Sequence, residues 1–280
     1  MATPECAVLL IDKPAGVTSH DVVNEARERF DTQRVGHCGT LDPFATGLLV
    51  VLLGRATRLQ RYLLHLPKTY NVVAQLGWTS TTGDRDGELQ RTGRVAADPQ
   101  LPVGEIELPV PAFSAIKVDG ERLYHAARRG EDVTPPVRTM VVYRAQRMAL
   151  DGELATFEID CAGGTYVRSL VGTLEDAYCQ QLSRTRIADI SLDDAADDVL
   201  HEPLSVLGHL KQVDLSLEDA SGMVCGRSLN RPGLEHGSAI ALKHDGRMFG
   251  VGHVVDDLLR PQTVLVQGLE ELTQEMAQTR

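Results

Sequence analysis

The sequence is short of several features that would point to common classes of protein. Aromatic residues make up only 4% of its 280 residues, so its core has to be mainly aliphatic. Cysteine occurs five times without a Cys-x-x-Cys pair, which supports neither a disulfide framework nor a zinc site. No apolar run approaches the roughly 20 residues of a membrane helix, and residues 1–6 lack the parts of a signal peptide. We therefore expect a cytoplasmic protein without a metal centre.

Positive charge is also scarce, because 28 Lys and Arg stand against 39 Asp and Glu, a net charge of −11. This argues against a general nucleic-acid coat protein, whose footprint is a basic surface. The charges are unevenly distributed, however. Residues 117–147 hold seven basic and four acidic residues, whereas residues 187–202 hold six acidic residues and no Lys or Arg. The first segment suits phosphate contacts, although a solvated face explains it equally well; we expect the second to face away from any nucleic acid.

A loop punctuated by glycines, at residues 36–47, has one acidic residue at its centre. It reads Gly-His-Cys-Gly-Thr-Leu-Asp-Pro-Phe-Ala-Thr-Gly. Its glycines permit backbone angles closed to other residues and let another segment approach closely. Pro43 pushes the backbone of Asp42 toward the extended region, and a carboxylate held in this way suits a nucleophile or a base. Ordinary turn chemistry explains the same residues without any function.

Read as one string, this loop resembles the catalytic loop of the TruB family of tRNA pseudouridine-55 synthases, whose usual form is GHTGTLDPxATG. Other strings agree with that family, among them KPxGxTSHDVV at 13–23, KxY at 68–70, PAFSAIKVDG at 111–120 and GTYVRSL at 164–170. The matching segments follow the family's order at plausible spacing and cover most of the first 190 residues. They are 7–23, 36–58, 68–87, 111–130 and 163–190.

The resemblance implies a role for three residues in particular. Asp42 is the nucleophile, Tyr70 packs on the target base, and Arg168 pairs with Asp42. An aromatic face suits a flipped base, and an Arg beside a carboxylate keeps it ionised because opposite charge lowers its pKa. Without the resemblance, Tyr70 reads equally well as a core residue of a strand. Arg168 reads as a surface residue near a helix N-terminus, where its charge is unfavourable without a specific partner.

Three further residues complete the expected site. The resemblance places Tyr166 against the uridine, Leu182 in the lining of the base pocket, and His37 where it helps to hold the T loop with its target nucleotide flipped out. A loop imidazole bonded to the backbone is the alternative for His37. Cys38 stands where relatives usually have Thr, so modestly altered activity is expected from the lost hydroxyl. Ser183 replaces a usual Arg, which weakens the assignment of Leu182.

The implied reaction is the isomerisation of uridine to pseudouridine in the T loop, at position 55, of tRNA. The N1 glycosidic bond breaks, the uracil rotates, and C5 bonds to the ribose. This chemistry requires a nucleophile, a dry pocket and a stacking clamp, but neither a cofactor nor a metal. Whether the nucleophile attacks C6 of the base or C1′ of the ribose is open. Recognition of the T arm by its shape is expected, as for other RNA loops.

The resemblance also implies an α+β fold. The expected parts are a catalytic domain over 1–212, with a long mixed, mostly antiparallel sheet and flanking helices, and a small β-rich domain over 213–280, PUA-like or related. Sequence patterns predict helices at 20–30, 56–64, 121–129 and from the 163–170 string to about 178. Strands are predicted at 7–12, 48–53, 70–77, 139–149, 154–161, 239–242, 248–255 and 263–267. The resemblance of residues 182–187 to the family's LRRTRIG string implies a further strand there.

Two functions of other classes stay open at this point. One is a non-catalytic RNA-binding protein that keeps the scaffold, against which the intact Asp42, Tyr70 and Arg168 speak. The other is a hydrolase that uses Asp42 with a second carboxylate, as glycosidases do, but no second acid accompanies the loop in a matching motif. We expect tRNA as the partner, no membrane, no obligatory protein partner and a monomer.

Overall fold

The computed structural model describes residues 4–111, 117–118, 121–122, 134–196 and 198–273. Its strands are β1 (Cys6–Lys13), β2 (Val35–His37), β3 (Thr46–Gly54), β4 (Lys68–Leu76), β5 (Trp78–Ser80), β6 (Leu89–Arg91), β7 (Gly104–Pro109), β8 (Lys117–Val118), β9 (Glu121–Arg122), β10 (Val137–Asp151), β11 (Leu154–Cys161), β12 (Ala177–Ile187), β13 (Ile190–Ser191), β14 (Lys211–Asp214), β15 (Leu229–Asn230), β16 (Ala239–His244), β17 (Arg247–Val255) and β18 (Leu258–Val264). Its α-helices are α1 (Ser19–Arg29), α2 (Gln60–Leu63), α3 (Val167–Val171), α4 (Leu217–Val224) and α5 (Leu269–Thr273).

One large sheet contains most of the strands in the first two thirds of the chain. Its strands run in the order β1-β3-β12-β4-β11-β10-β7, with β2 added beside β3 and β13 beside β12. All pairs are antiparallel except β3 with β12, which run parallel for a short distance. The sheet is therefore mixed and mostly antiparallel, and the α+β class expected from the sequence is confirmed.

Local sequence signals explain the elements near the N-terminus. Thr18 caps α1 in a capping box with Asp21, in which each backbone N–H donates to the other residue's side chain. The apolar side chains of this helix recur at helical spacing and pack on the apolar strands β1 and β3. In β4, Tyr70 and every second residue after it are buried, which is the alternation expected of a strand with one inward face.

A second sheet follows at the C-terminal end, with the strand order β14-β16-β17-β18-β15. It has its own apolar core, which it shares with helix α4. Val251 and Leu265 also pack into a cluster built on β3, so the two sheets share part of a core. A domain boundary near residue 212 stays a prediction. None of the described helices is long and apolar enough to cross a membrane.

The helix predicted from the 163–170 string to about residue 178 is wrong in its extent. Helix α3 ends at Val171, and Ala177–Ile187 forms strand β12 instead. Gly172 follows the last helical residue, and Glu175 has a φ of 52° in the left-handed region, so the chain reverses there. Pairing with both β3 and β4 then satisfies the backbone of β12, which local propensity does not reveal.

Three other predicted elements differ in detail. The segment predicted as a helix at 56–64 begins as a 3-10 helix (Arg55–Leu59) and continues as α2. The last predicted strand, 263–267, is centred earlier, at Leu258–Val264. Glu121 and Arg122, the first residues of the helix predicted at 121–129, pair in β9 with β8. The rest of that helix, and most of the 111–120 string, lie outside the described residues.

Replacing Gly47 with Ala should destabilise the large sheet. Gly47 has a φ of 102°, and a Cβ there would lie 2.3 Å from the backbone oxygen of Arg184 on β12. We expect Gly47→Ala to lower the free energy of unfolding by about 2 kcal/mol or more, as measured by urea denaturation. Gly36→Ala is the matched control, because its Cβ would meet its nearest neighbour at 3.7 Å. Equal stability of the two variants would contradict the close approach of β12 to Gly47.

Candidate active site

Asp42 lies in the loop that joins β2 to β3. The backbone N–H of Ala45 donates to the Asp42 carbonyl over 3.1 Å, which closes a turn with Pro43 in its second position. The interpretation of these residues as a turn is therefore correct for the backbone. The turn does not use the side chain of Asp42, of which 32% is exposed, so the carboxylate is available for other interactions. A carboxylate on a closed turn keeps a fixed direction.

Arg168 binds this carboxylate with two parallel hydrogen bonds. Its Nε donates to Oδ2 and its Nη2 donates to Oδ1 of Asp42, each over 2.9 Å. The Arg168 side chain is only 4% exposed, so the reading as a surface helix residue is wrong. Paired N–H···O bonds between a guanidinium and a carboxylate fix both position and angle. The pairing inferred by resemblance is thus present in the structure.

A second carboxylate, which the sequence analysis did not identify, also contacts Arg168. Asp84 Oδ2 lies 3.2 Å from Nη1 of Arg168, which also donates to the Thr82 carbonyl over 2.9 Å. The other carboxylate oxygen of Asp84 accepts from the Thr82 hydroxyl and the Asp86 backbone N–H. In the sequence analysis, residues 79–87 figure only as part of the matching segment 68–87, without a role for any of their acids. The buried Asp84 therefore holds Arg168 from the side opposite Asp42.

Burial and charge act on the Asp42 carboxyl in opposite directions. Burial raises the pKa of Asp42 above its ordinary value, and the positive charge and hydrogen bonds of Arg168 oppose that rise. The sequence analysis predicted only the lowering of this pKa by Arg168. Asp84, a nearby negative charge, adds to the rise. The ionised form of Asp42 therefore depends on Arg168.

The N-terminal string at 13–23 holds the Asp42 loop on both sides of the acid. Ser19, which is 2% exposed, donates through Oγ to the Leu41 carbonyl over 3.1 Å and accepts from the Leu41 N–H over 2.9 Å. On the other side, the Pro43 carbonyl accepts from the Gly16 N–H over 2.8 Å and from Lys13 Nζ over 3.4 Å. The residues adjoining Asp42 are thus fixed from one neighbouring segment.

Tyr70 and Leu182 form part of the apolar cluster beneath the loop. Both are buried, on the adjacent strands β4 and β12, and they share this cluster with Leu41 and Phe44 of the loop. Burial raises the pKa of the Tyr70 hydroxyl, so the phenol stays protonated at neutral pH. The structure therefore brings both residues next to the Asp42 loop, and their contact with a base stays a prediction.

Tyr166 and His37 are only partly buried. Tyr166 is the N-cap of α3, two residues before Arg168, and burial raises its pKa; the positive charge of Arg138 opposes this rise and the negative charge of Asp42 adds to it. The His37 pKa is lowered by burial and by the positive charge of Arg184, so its imidazole is neutral near pH 7. Its Nδ1 is buried without a hydrogen-bond partner, although its carbonyl accepts from Gln60 over 2.7 Å.

Cys38 is fully buried among aliphatic side chains, including Val8, Leu48 and Val50. Its sulfur fills the space of a small apolar residue, and burial raises its pKa to about 12. Such a thiol is inert toward metals and oxidants because the thiolate is the reactive form. Altered activity through the absence of a threonine hydroxyl at this position stays a prediction.

The comparisons with known proteins point in one direction. A family model described as TruB family pseudouridylate synthase (N terminal domain) matches residues 27–167. The tRNA pseudouridine synthase B of Ectopseudomonas mendocina is 35% identical, over 93% of this chain and 95% of the relative. The protein of the same name from Mycobacterium tuberculosis is 36% identical, over 87% of this chain and 90% of the relative.

Similarity of fold extends to more distant proteins. A chain in the crystal structure of a Cbf5-Nop10-Gar1 complex superposes with a TM-score of 0.69 at 22% identity. The match covers 94% of this chain and 85% of that one. At this level of identity the likeness concerns the fold alone.

Removing the charge of Arg168 should raise the pKa of Asp42. In Arg168→Gln the carboxyl stays largely shielded from solvent but loses the opposing charge, so we expect its pKa to rise above the wild-type value. The measurement is the pH dependence of the Asp42 side-chain signal in NMR spectra of protein with ¹³C-labelled aspartate, after folding is checked by circular dichroism. Arg168→Lys, which keeps a charge, should give a smaller rise. An unchanged or lower pKa in Arg168→Gln would contradict the assigned role.

The cysteines should differ sharply in reactivity. Cys38, Cys161 and Cys179 are buried, and burial raises the pKa of each thiol, whereas Cys225 is exposed. We expect a thiol reagent such as 5,5′-dithiobis(2-nitrobenzoic acid) to modify Cys225 readily in the native protein, and the three buried cysteines only after unfolding. Peptide mass spectrometry locates the modified residues. Labelling of Cys38 as fast as that of Cys225 would refute its assigned packing.

Proposed function

Because this chain belongs to the TruB family of pseudouridylate synthases, we propose that it isomerises uridine to pseudouridine at position 55 in the T loop of tRNA, with Asp42 as the nucleophile. The observation that carries the proposal is the Asp42 carboxylate, fixed by Arg168 on a closed turn beside a buried tyrosine. The two relatives named above, which this chain matches over nearly their full lengths, are tRNA pseudouridine synthases.

The reaction assigns a task to each residue of the site. Asp42 attacks the target nucleotide while Arg168 keeps its carboxylate charged and oriented. The aromatic face of Tyr70 stacks on the extruded uracil, and Leu182 forms an apolar wall of the pocket. Flipping the nucleotide costs a few kcal/mol of stacking energy, which such contacts recover. Tyr166 lies against the uridine, and His37, whose side chain is only partly buried, is a polar contact for the displaced T loop.

Buried cations reconcile RNA binding with the overall negative charge. Lys13, Lys68, Arg168 and Arg184 are each buried near the Asp42 loop, where Asp42 and Asp84 are the acids that take part in the ion pairs described above. Local charge decides the attraction of an anionic ligand more than the total does. Burial lowers the pKa of Lys68 to about 8, so Lys68 is largely protonated at neutral pH. This local excess of positive charge favours a polynucleotide substrate.

A hydrolytic reaction is less well supported. It requires a second carboxylate that is free to act as an acid or a base. Asp84 is the acid nearest to that description, but its Oδ1 accepts hydrogen bonds from the Thr82 hydroxyl and the Asp86 N–H, and its Oδ2 lies beside Arg168. Its task is therefore to hold Arg168. Among the described residues, no group of three or more His, Cys, Asp or Glu is placed to hold a metal ion.

The remaining expectations belong to the same proposal. We expect the T arm alone to supply the recognised shape, the protein to act as a monomer without an obligatory protein partner or a cofactor, and its location to be the cytoplasm, where unmodified tRNA is its substrate. Sedimentation of the purified protein with and without a T-arm hairpin tests the first two points. A dimer, or a requirement for the whole tRNA, would contradict them.

The direct experiment uses unmodified tRNA transcripts and the purified protein. We expect one pseudouridine per transcript, located at position 55 by carbodiimide adducts and reverse transcription, with no change in RNA mass because an isomerisation neither adds nor removes atoms. A transcript with cytidine at this position is the matched control and should stay unmodified.

Two other results would reject the proposal in distinguishable ways. Release of free uracil would show a hydrolase. Tight binding of the transcript without any modification would show that the scaffold serves as an RNA-binding protein.

A further inference from the structure

Arg184 is a charged residue at the centre of the large sheet, with only 1% of its surface exposed. It lies on β12, where its backbone is paired with Gly47 of β3 on one side and with Tyr70 of β4 on the other. Side chains of directly opposite residues in neighbouring strands are in contact range. One residue therefore adjoins both the end of the Asp42 loop and the proposed stacking tyrosine.

The guanidinium of Arg184 joins the two ends of the Asp42 loop. Its Nε donates to the Leu48 carbonyl over 2.8 Å, and its Nη2 donates to the Gly39 carbonyl over 3.0 Å. Gly39 precedes Asp42 and Leu48 follows it, so the acid lies between the two anchored carbonyls. Because a guanidinium is planar and its N–H groups point in fixed directions, it sets the distance between the carbonyls it binds.

The same guanidinium acts on Tyr70. The two residues are directly opposite each other on β12 and β4, and the positive charge of Arg184 opposes the rise that burial causes in the pKa of Tyr70. The loop with the nucleophile and the strand position of the stacking residue thus share one neighbour on β12.

Fold stability alone does not account for a cation at this position. Within the described part of the chain, the hydrogen bonds of the Arg184 side chain go to backbone carbonyls, and no carboxylate forms an ion pair with it. Burial of a charge without an opposite charge is costly, and apolar residues of similar volume often stabilise such positions better. The cost suggests that the position serves the chemistry of the site.

We propose that Arg184 is a positioning residue for the isomerisation, which fixes the two ends of the Asp42 loop beside Tyr70. This inference rests on the proposed function, because it assigns Arg184 a task in that reaction. It differs from the task of Arg168, since Arg168 touches the nucleophile itself, whereas Arg184 acts through the backbone on either side of Asp42.

The variant that separates geometry from charge is Arg184→Lys. An ammonium group keeps the positive charge but is a compact donor that cannot reproduce the planar fork. Arg186→Lys is the matched control, because Arg186 is an exposed residue on the same strand, two positions further on. For each protein, the affinity for a tRNA transcript, the single-turnover rate of pseudouridine formation and the melting temperature are measured.

We expect Arg184→Lys to bind tRNA within about threefold of wild type but to form pseudouridine about 100-fold more slowly, as for a small misplacement of reacting groups. Arg186→Lys should match wild type in both. A folded Arg184→Lys variant with a wild-type rate would overturn the proposal. So would a loss of affinity as large as the loss of rate, which indicates a general structural defect.

A measurement on the folded wild-type protein covers the case in which Arg184→Lys does not fold. The side-chain Nε–H signals of Arg184 and of the exposed Arg186 are followed by ¹⁵N NMR during exchange with deuterated solvent. We expect the Arg184 signal to be protected from exchange, because its Nε–H is buried and donates to the Leu48 carbonyl, whereas exchange as fast as that of Arg186 would overturn the proposal. Wild-type protein that modifies no tRNA would instead reject the proposed function, so the two failures are distinguishable.

Discussion

The two parallel hydrogen bonds between Arg168 and Asp42 are the interaction on which the site depends. Burial disfavours a charged carboxylate, and a neutral carboxylic acid is a poor nucleophile. Arg168 offsets this effect and fixes the direction of both carboxylate oxygens. Its own position is set by the Thr82 carbonyl and by Asp84 on its far side. The guanidinium of Arg168 thus lies between the carboxylates of Asp42 and Asp84. Of these three side chains, only that of Asp42 is partly open to solvent.

The sheet brings the remaining parts of the site to these three side chains. Strand β12 lies between β3, which begins as the Asp42 loop ends, and β4, which carries Tyr70. This arrangement places residues from the first 70 positions beside residues near position 180. Hydrogen bonds from the Ser19 hydroxyl, the Gly16 N–H and the Arg184 guanidinium to backbone carbonyls then hold the loop itself. Rigid support of this kind suits a reaction in which a flipped base has to meet a nucleophile at a defined distance.

Local patterns made much of this predictable from the sequence. The apolar runs of β1 and β3, the alternation of β4 and the capped helix α1 depend on neighbouring residues, and they are confirmed. The pairing of Arg168 with Asp42 was inferred only from a family resemblance, because 126 positions separate the two residues. Asp84 was missed, since a polar turn conceals which of its acids points inward. The strand predicted at 182–187 is confirmed, but its start at Ala177 was missed, because a helix was predicted to about residue 178 and the partners β3 and β4 decide where the strand begins.

The most direct test of the account uses Asp42→Asn, which keeps the shape of the side chain but removes its negative charge. The single-turnover rate of pseudouridine formation and the affinity for the tRNA transcript are measured side by side with wild type. The account predicts an affinity within about threefold of wild type and a rate lower by at least about 1,000-fold. A variant that still forms pseudouridine at a rate within tenfold of wild type would contradict the role of Asp42 as the nucleophile.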